Sequence, residues 1–182
     1  LQFHAAFLQL DLHQRKTVDE NRDVVAALPT PLDGYLVGNL ISQYCAACFK
    51  RFPSEQSRKQ FKAYLLATIK SLIETYMKTF TLCWEKSVKE RYRGQQGLLQ
   101  SILQEVMEDV PGYASMVNWF RSVSEIPYPD FDIIEDKDAK RNATVLSLMI
   151  DWGIMFGRYK YQSADDLIET IIGIEEEFRK SL

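Results

Sequence analysis

An all-α fold, a bundle of about six to eight helices around one long central helix, is what this sequence predicts, and three observations carry it. Apolar residues recur at steps of three and four along nearly the whole chain, the period of a helix that buries one face. Only 8 glycines and 6 prolines are spread over 182 residues, too few for the many tight turns of an all-β fold. A content of 46% apolar and 26% charged residues is that of an ordinary globular domain long enough to bury a core. Residues 1–182 read as one domain, because no internal repeat, low-complexity tract or linker interrupts them.

Each element follows from its own residues. Phe3, Phe7 and Leu8 suggest a first amphipathic segment, and Thr17 with Glu20 forms a capping box for a short helix that Pro29 ends. Pro31 and Asp33 open the next helix, with Leu36, Val37, Leu40, Ile41, Tyr44 and Cys48 on its apolar face. It is expected to run through Phe52, where Pro53 stops it. Ser54 then starts a periodic stretch of about 36 residues to Tyr92, roughly 54 Å at the usual helical rise. Phe61, Leu65, Ile69, Leu72, Tyr76, Phe80 and Cys83 make a continuous row along it. Leu66, Ile73, Met77 and Trp84 widen that row into an arc that calls for two or more neighbours.

Gly94 and Gly97 end the long helix, and Leu98 begins another with Leu99, Ile102, Val106 and Val110 inward. Pro111-Gly112 is expected to stop it, leaving a separate short helix with Met116, Val117, Phe120 and Val123 inward. Two prolines make Ile126 to Asp136 a long loop. From about Asp138 to Tyr159 the pattern is helical and apolar on two sides. Val145, Leu148, Met149, Trp152, Phe156 and Tyr159 form one side, and Leu146, Ile150 and Ile154 the other. A helix apolar on most faces belongs at the centre of a bundle or against a partner. Ser163 with Asp166 caps the last helix, whose seam is Leu167, Ile171, Ile174, Phe178 and Leu182.

Charge and cysteine usage narrow the function. The formal net charge is −3 and unevenly spread: residues 1–93 hold 14 basic and 9 acidic side chains, residues 94–182 hold 8 and 16. Such a dipole can steer a charged partner or favour antiparallel self-pairing. Lys62, Lys70, Lys78 and Lys86 advance by about 80° per step and wind around their helix, so they make no phosphate-tracking stripe. Nucleic acid is not the expected partner. Three cysteines are too few to staple a domain of this size, which suits a reducing compartment. The opening residues lack a secretory pattern, although the chain starts without methionine and so reads as a fragment or a processed form. The longest apolar run, Val145 to Phe156, is too short to span a bilayer. The expected location is cytoplasmic.

Catalytic signatures are sparse. The only histidines, His4 and His13, lie near the N-terminus, so the main helical body has none to ligate haem or to activate a serine. No G-x-S-x-G elbow, glycine-rich phosphate loop or Glu-x-x-His pair occurs, and neither a metal nor a cofactor is expected. Asp151, the one carboxylate embedded in an apolar helix, reads either as a perturbed acid or as a group paired with an arginine or a backbone donor. Cys45-Ala46-Ala47-Cys48 could form a redox dithiol or pack in the core. These four residues resemble the CxxC of the alkylhydroperoxidase-type disulfide reductases, which also place the pair on an all-α fold of similar size. In this chain Phe52 stands where that pattern has histidine, and no suitably spaced glutamate precedes Cys45. The resemblance therefore implies a thiol pair without its proton relay.

Three functions remain open on these residues. The first is a non-enzymatic interaction or regulatory module that binds a protein partner or forms a homodimer. Its candidate surfaces are the seam Leu167, Ile171, Ile174 and Phe178, and the loop with Tyr128, Asp130, Phe131 and Asp132, whose acids and aromatics suit a basic surface. Gly153 and Gly157 would let helices approach closely, internally or across a dimer. The second is a sensor holding an apolar small molecule among Tyr76, Met77, Trp84, Trp119, Met149, Trp152 and Phe156. The third is a thiol redox protein using Cys45 and Cys48.

Overall fold

The fold is all-α. The computed structural model describes residues 31–88, 90–92, 94–126 and 128–182. The expected segment at Phe3, Phe7 and Leu8 and the Thr17–Glu20 capping box lie outside the described residues, as do both histidines. Six helices follow one another: α1 (Pro31–Ala47), α2 (Glu55–Ser87), α3 (Gln96–Val123), α4 (Pro129–Asp132), α5 (Lys137–Gly157) and α6 (Ala164–Ser181). Short 3-10 turns, Glu90–Tyr92 and Arg158–Lys160, stand after α2 and α5. None of the described helices is long and apolar enough to cross a membrane.

Helix α1 occupies the middle, touching α2, α3, α4 and α5. Val37, Ile41, Tyr44 and Cys45 are buried on it, and Ser42 among them is buried too. Its closest neighbour is α3, and two glycines make that approach possible. A Cβ on Gly34 would fall 2.3 Å from the Cβ of Tyr113, and one on Gly38 would fall 2.6 Å from the carbonyl oxygen of Ala114. The α1 ladder ends at Ala47, earlier than Pro53 requires, and Cys48 and Phe49 continue as a turn.

The long helix α2 has 33 residues, about 50 Å. Ser54 caps it as expected, accepting from the Ser57 N–H at 3.0 Å. It ends at Ser87 instead of Tyr92 because Val88 turns extended, its N–H still donating to Trp84 O. The bundle is not centred on α2. Only Leu65, Ile69 and Ile73 are buried on it, while Tyr76, Phe80 and Trp84 stack along its own distal half with centroids 6.2 Å apart.

Pro111 does not stop α3. The helix runs unbroken from Gln96 to Val123, with Pro111 inside it. A proline in a helix loses one ladder bond and crowds the preceding turn, at a cost of about 3 kcal/mol. Val106, Met107, Val110 and Ala114 lie on both sides of it and are all buried in one core, so packing offsets that cost. Met116, Phe120 and Val123, expected inward, are exposed.

Asp136 caps α5 by accepting from the Ala139 N–H at 2.7 Å. Ser163 and Asp166 form the expected capping box of α6. Within the loop before α5, Pro129 supplies the first turn of the one-turn helix α4.

The glycine contacts predict opposite effects at two sites. Gly38→Ala should destabilise the fold by about 1–3 kcal/mol, as overpacking does. Gly173→Ala, where nothing lies within 4 Å of the added Cβ, should stabilise it by about 0.4–1 kcal/mol. Urea midpoints of the two variants check both signs.

Candidate functional site

Helix α5 divides into two apolar faces with different fates. Leu146, Ile150 and Ile154 are fully buried against the rest of the bundle. On the opposite side Val145, Leu148, Met149, Trp152 and Phe156, with Tyr159 in the following turn, are exposed. Trp152 is 70% exposed and Phe156 64%, their rings side by side with centroids 4.4 Å apart. The exposed side chains of this face from Val145 to Phe156 are uncharged, and the Arg158 guanidinium lies over the Tyr159 ring at its end.

Where α5 meets α6 the exposed face deepens into a groove. Gly153 creates it: a Cβ there would fall 2.3 Å from Cδ1 of Ile174, so the missing side chain lets Ile174 lie against the α5 backbone. Gly157 similarly accommodates the hydroxyl end of Tyr161. Both glycines thus serve packing inside this chain. Val145, Leu148, Met149, Trp152, Gly153 and Ile174 line an open depression of about 410 Å³. Burial of such a surface is worth about 25 cal/mol per Å², so an apolar partner would gain from covering it.

The α6 seam is directed inward. Leu167, Ile171 and Phe178 are buried in this chain's own core, Ile174 is partly exposed at the groove, and Leu182 is exposed at the end of the helix. As partner-binding residues the first three are corrected: docking of this helix on its own bundle leaves them unreachable. The 126–136 loop is also tied down. Phe131 is buried, and Tyr128 lies edge-on to Phe120 with the Arg121 guanidinium 4.5 Å from its ring. Asp130 accepts from Ser42 Oγ at 3.0 Å and from Arg121 Nε at 2.9 Å, and Asp132 pairs with Lys140 at 2.7 Å. Asp130 and Asp132 thus already have cations within this chain.

Beneath the seam lies a buried charge centre. Glu175, only 4% exposed, accepts from Tyr44, Lys62 and Arg179, joining α1, α2 and α6 at one carboxylate. Burial opposes its charge, but those three donors prevail and hold the carboxyl down at about 2. The Tyr44 hydroxyl is pushed up by burial and then by Glu175. The sequence held a signal for this centre, since Glu175 stands one turn after Ile171 in an otherwise apolar row.

The cysteines are placed against reactivity. Cys45 and Cys48 are both buried and free, at the C-terminal end of α1. A redox thiolate gains from a helix N-terminus, and the opposite pole disfavours it. Burial raises the Cys45 thiol, with Cys48 and Asp151 adding to it, and pushes Cys48 up to about 12. Cys48 Sγ donates instead to Tyr44 O at 3.3 Å. Cys83 is exposed on α2.

The sensor residues do not gather into one interior. Trp119, Met149, Trp152 and Phe156 are exposed, and Tyr76 and Met77 are half-buried on α2. Asp151 is buried where α5 crosses α3, and its partner is Asn118, not an arginine. Among the described residues no group of three or more histidine, cysteine or carboxylate side chains could hold a metal. Compared with known protein families and with curated proteins, the chain matches none.

Two measurements follow from this geometry. With a maleimide at neutral pH, Cys83 should react rapidly, and Cys45 and Cys48 should label only after denaturation, as mass spectrometry would show. Glu175→Ala should cost about 3–5 kcal/mol by leaving Lys62 without its buried counter-charge. Because the folded Glu175 titrates below its ordinary value of 4.5, its contribution is complete above that value. It is lost as pH falls towards about 2, so the deficit of the variant in Tm should shrink on acidification.

Proposed function

We propose that this chain is a non-enzymatic helical interaction module that self-associates through the exposed face of α5. One observation carries the reading. Six large apolar side chains, Val145, Leu148, Met149, Trp152, Phe156 and Tyr159, stand exposed in one uninterrupted stripe. Contiguous apolar surface of this kind on a folded domain marks an interaction site. Trp and Tyr supply much of the binding free energy at such sites.

A second copy of the chain is the occupant the face fits best. Apart from Arg158 over the Tyr159 ring at one end, the stripe offers no charge to select an acidic or basic partner. A two-fold contact uses the same patch on both protomers, and two antiparallel α5 helices crossing near Trp152 would each cover the other's stripe. The groove between α5 and α6 would receive the partner's ring.

A second reading shares the site. An open groove of about 410 Å³ lined by apolar side chains also suits an apolar small molecule, since ligand pockets span about 300–1,000 Å³. Self-association ranks first because the stripe extends well beyond the groove, to Phe156 and Tyr159.

Light scattering over a concentration series tests the proposal. The unmodified chain should shift from monomer to dimer mass, and Trp152→Glu should stay monomeric with its Tm nearly unchanged, since Trp152 contributes little to the bundle. A constant monomer mass at every concentration would overturn self-association. Binding of an apolar fluorescent probe that Trp152→Glu abolishes would then favour the small-molecule reading.

A further inference from the structure

The crossing of α3 and α5 contains a pair of polar side chains whose hydrogen bonding is incomplete in an informative way. Asn118 is fully buried and Asp151 nearly so. Asn118 Nδ2 donates to Asp151 Oδ1 at 2.8 Å. The two remaining acceptors, Asn118 Oδ1 and Asp151 Oδ2, are buried and have no donor. An ionised Asp151 would leave half a carboxylate and an amide oxygen both unmet, each a substantial cost in a dry interior.

One proton removes both deficits. A carboxylic acid has a hydroxyl that donates and a carbonyl that accepts, and a primary amide offers the reciprocal set. The existing bond from Asn118 Nδ2 to Asp151 Oδ1 is one half of that arrangement. A proton on Asp151 Oδ2, donated to Asn118 Oδ1, would supply the other half and satisfy both unpartnered oxygens. We propose that the folded protein carries Asp151 as the neutral acid, joined to Asn118 by two reciprocal hydrogen bonds, as a proton-dependent clasp between α3 and α5.

The described surroundings offer no cation that would hold the charged form. From α1 the facing group is the buried Cys45 thiol, whose own ionisation Asp151 opposes. From α5 itself, Ser147 lies one turn back, beside Cys45. On α3, Ser115 donates to Gly112 O at 2.8 Å. The charged groups of adjoining elements are engaged elsewhere. Arg121 holds Asp130, Arg158 lies over the Tyr159 ring and against Gly112, and Glu175 is occupied by Lys62 and Arg179. Among the described residues no cation pairs with Asp151. In keeping with this, burial pushes its carboxyl up to about 8, against the pull of the Asn118 bond.

The sign of the pH effect follows. The unfolded chain loses this proton around the ordinary value of 3.8, whereas the folded chain keeps it until about 8. Between those values only the folded state holds the proton, so stability falls as pH rises. Above about 8 both states are ionised and the contribution levels off. The clasp thus contributes fully below about 3.8 and progressively less from there up to about 8, whatever the exposed face of α5 binds.

Asp151→Asn tests the idea, because an amide keeps the shape and donor of the neutral acid and does not titrate. Its Tm should match that of the unmodified chain only at about pH 4 and below, and exceed it by a margin that widens from there up to about pH 8. Parallel Tm curves for the two proteins over that range would overturn the proposal. An infrared titration of the unmodified chain with carboxyl-labelled aspartate decides independently of how the variant folds. A protonated-carboxyl carbonyl band at about pH 6, where ordinary aspartates are ionised, is expected to fade towards alkaline pH. Its absence at that pH would equally refute a neutral Asp151.

Discussion

Helix α5 is apolar around most of its circumference, and the described residues supply neighbours for only half of it. Leu146, Ile150 and Ile154 are fully buried, while residues of the same size on the other side meet solvent. The constraint is geometric. Among the described residues α1, α3, α4 and α6 pack against α5, and none of them covers the face of Trp152 and Phe156. A surface helix of a self-sufficient domain would carry polar residues there. That mismatch between what α5 offers and what the described residues cover is the physical basis of the interaction reading.

The inner half of the molecule is held by a different logic. Close backbone approach at Gly34 and Gly38 locks α3 to α1, and the Glu175 centre ties α1, α2 and α6 together through one buried carboxylate. Glu175 is held charged by three donors, whereas Asp151, without a cation, is best satisfied neutral. Two buried carboxyls in one small bundle thus answer to opposite rules, set by what faces them. Both rules are structural, and neither carboxyl sits beside a nucleophilic thiolate.

Local signals in the sequence were legible and tertiary ones were not. Ser54 and the Ser163–Asp166 box mark helix starts because capping depends on residues within one turn. The two apolar sides of α5 were visible as a pattern, but periodicity does not say which side the bundle will cover. Pro111 misleads because its local cost is outweighed by burial of Val106, Val110 and Ala114, which only the partner helix α1 reveals. The seam of Leu167, Ile171 and Phe178 looks like a docking edge until α6 is seen folded onto its own core. Asp130 and Asp132 look like free acids until Arg121 and Lys140 are found beside them.

Fluorescence of Trp152 alone tests the central claim most directly. The chain has 3 tryptophans, and replacing Trp84 and Trp119 by phenylalanine leaves Trp152 as the sole reporter on the exposed face. In dilute solution its emission should be that of a hydrated indole, readily quenched by acrylamide. On concentration the emission should shift to the blue and quenching should decline, as a second copy covers the ring. Identical emission and quenching at every concentration, with Trp152 hydrated throughout, would contradict a role for the α5 face in self-association.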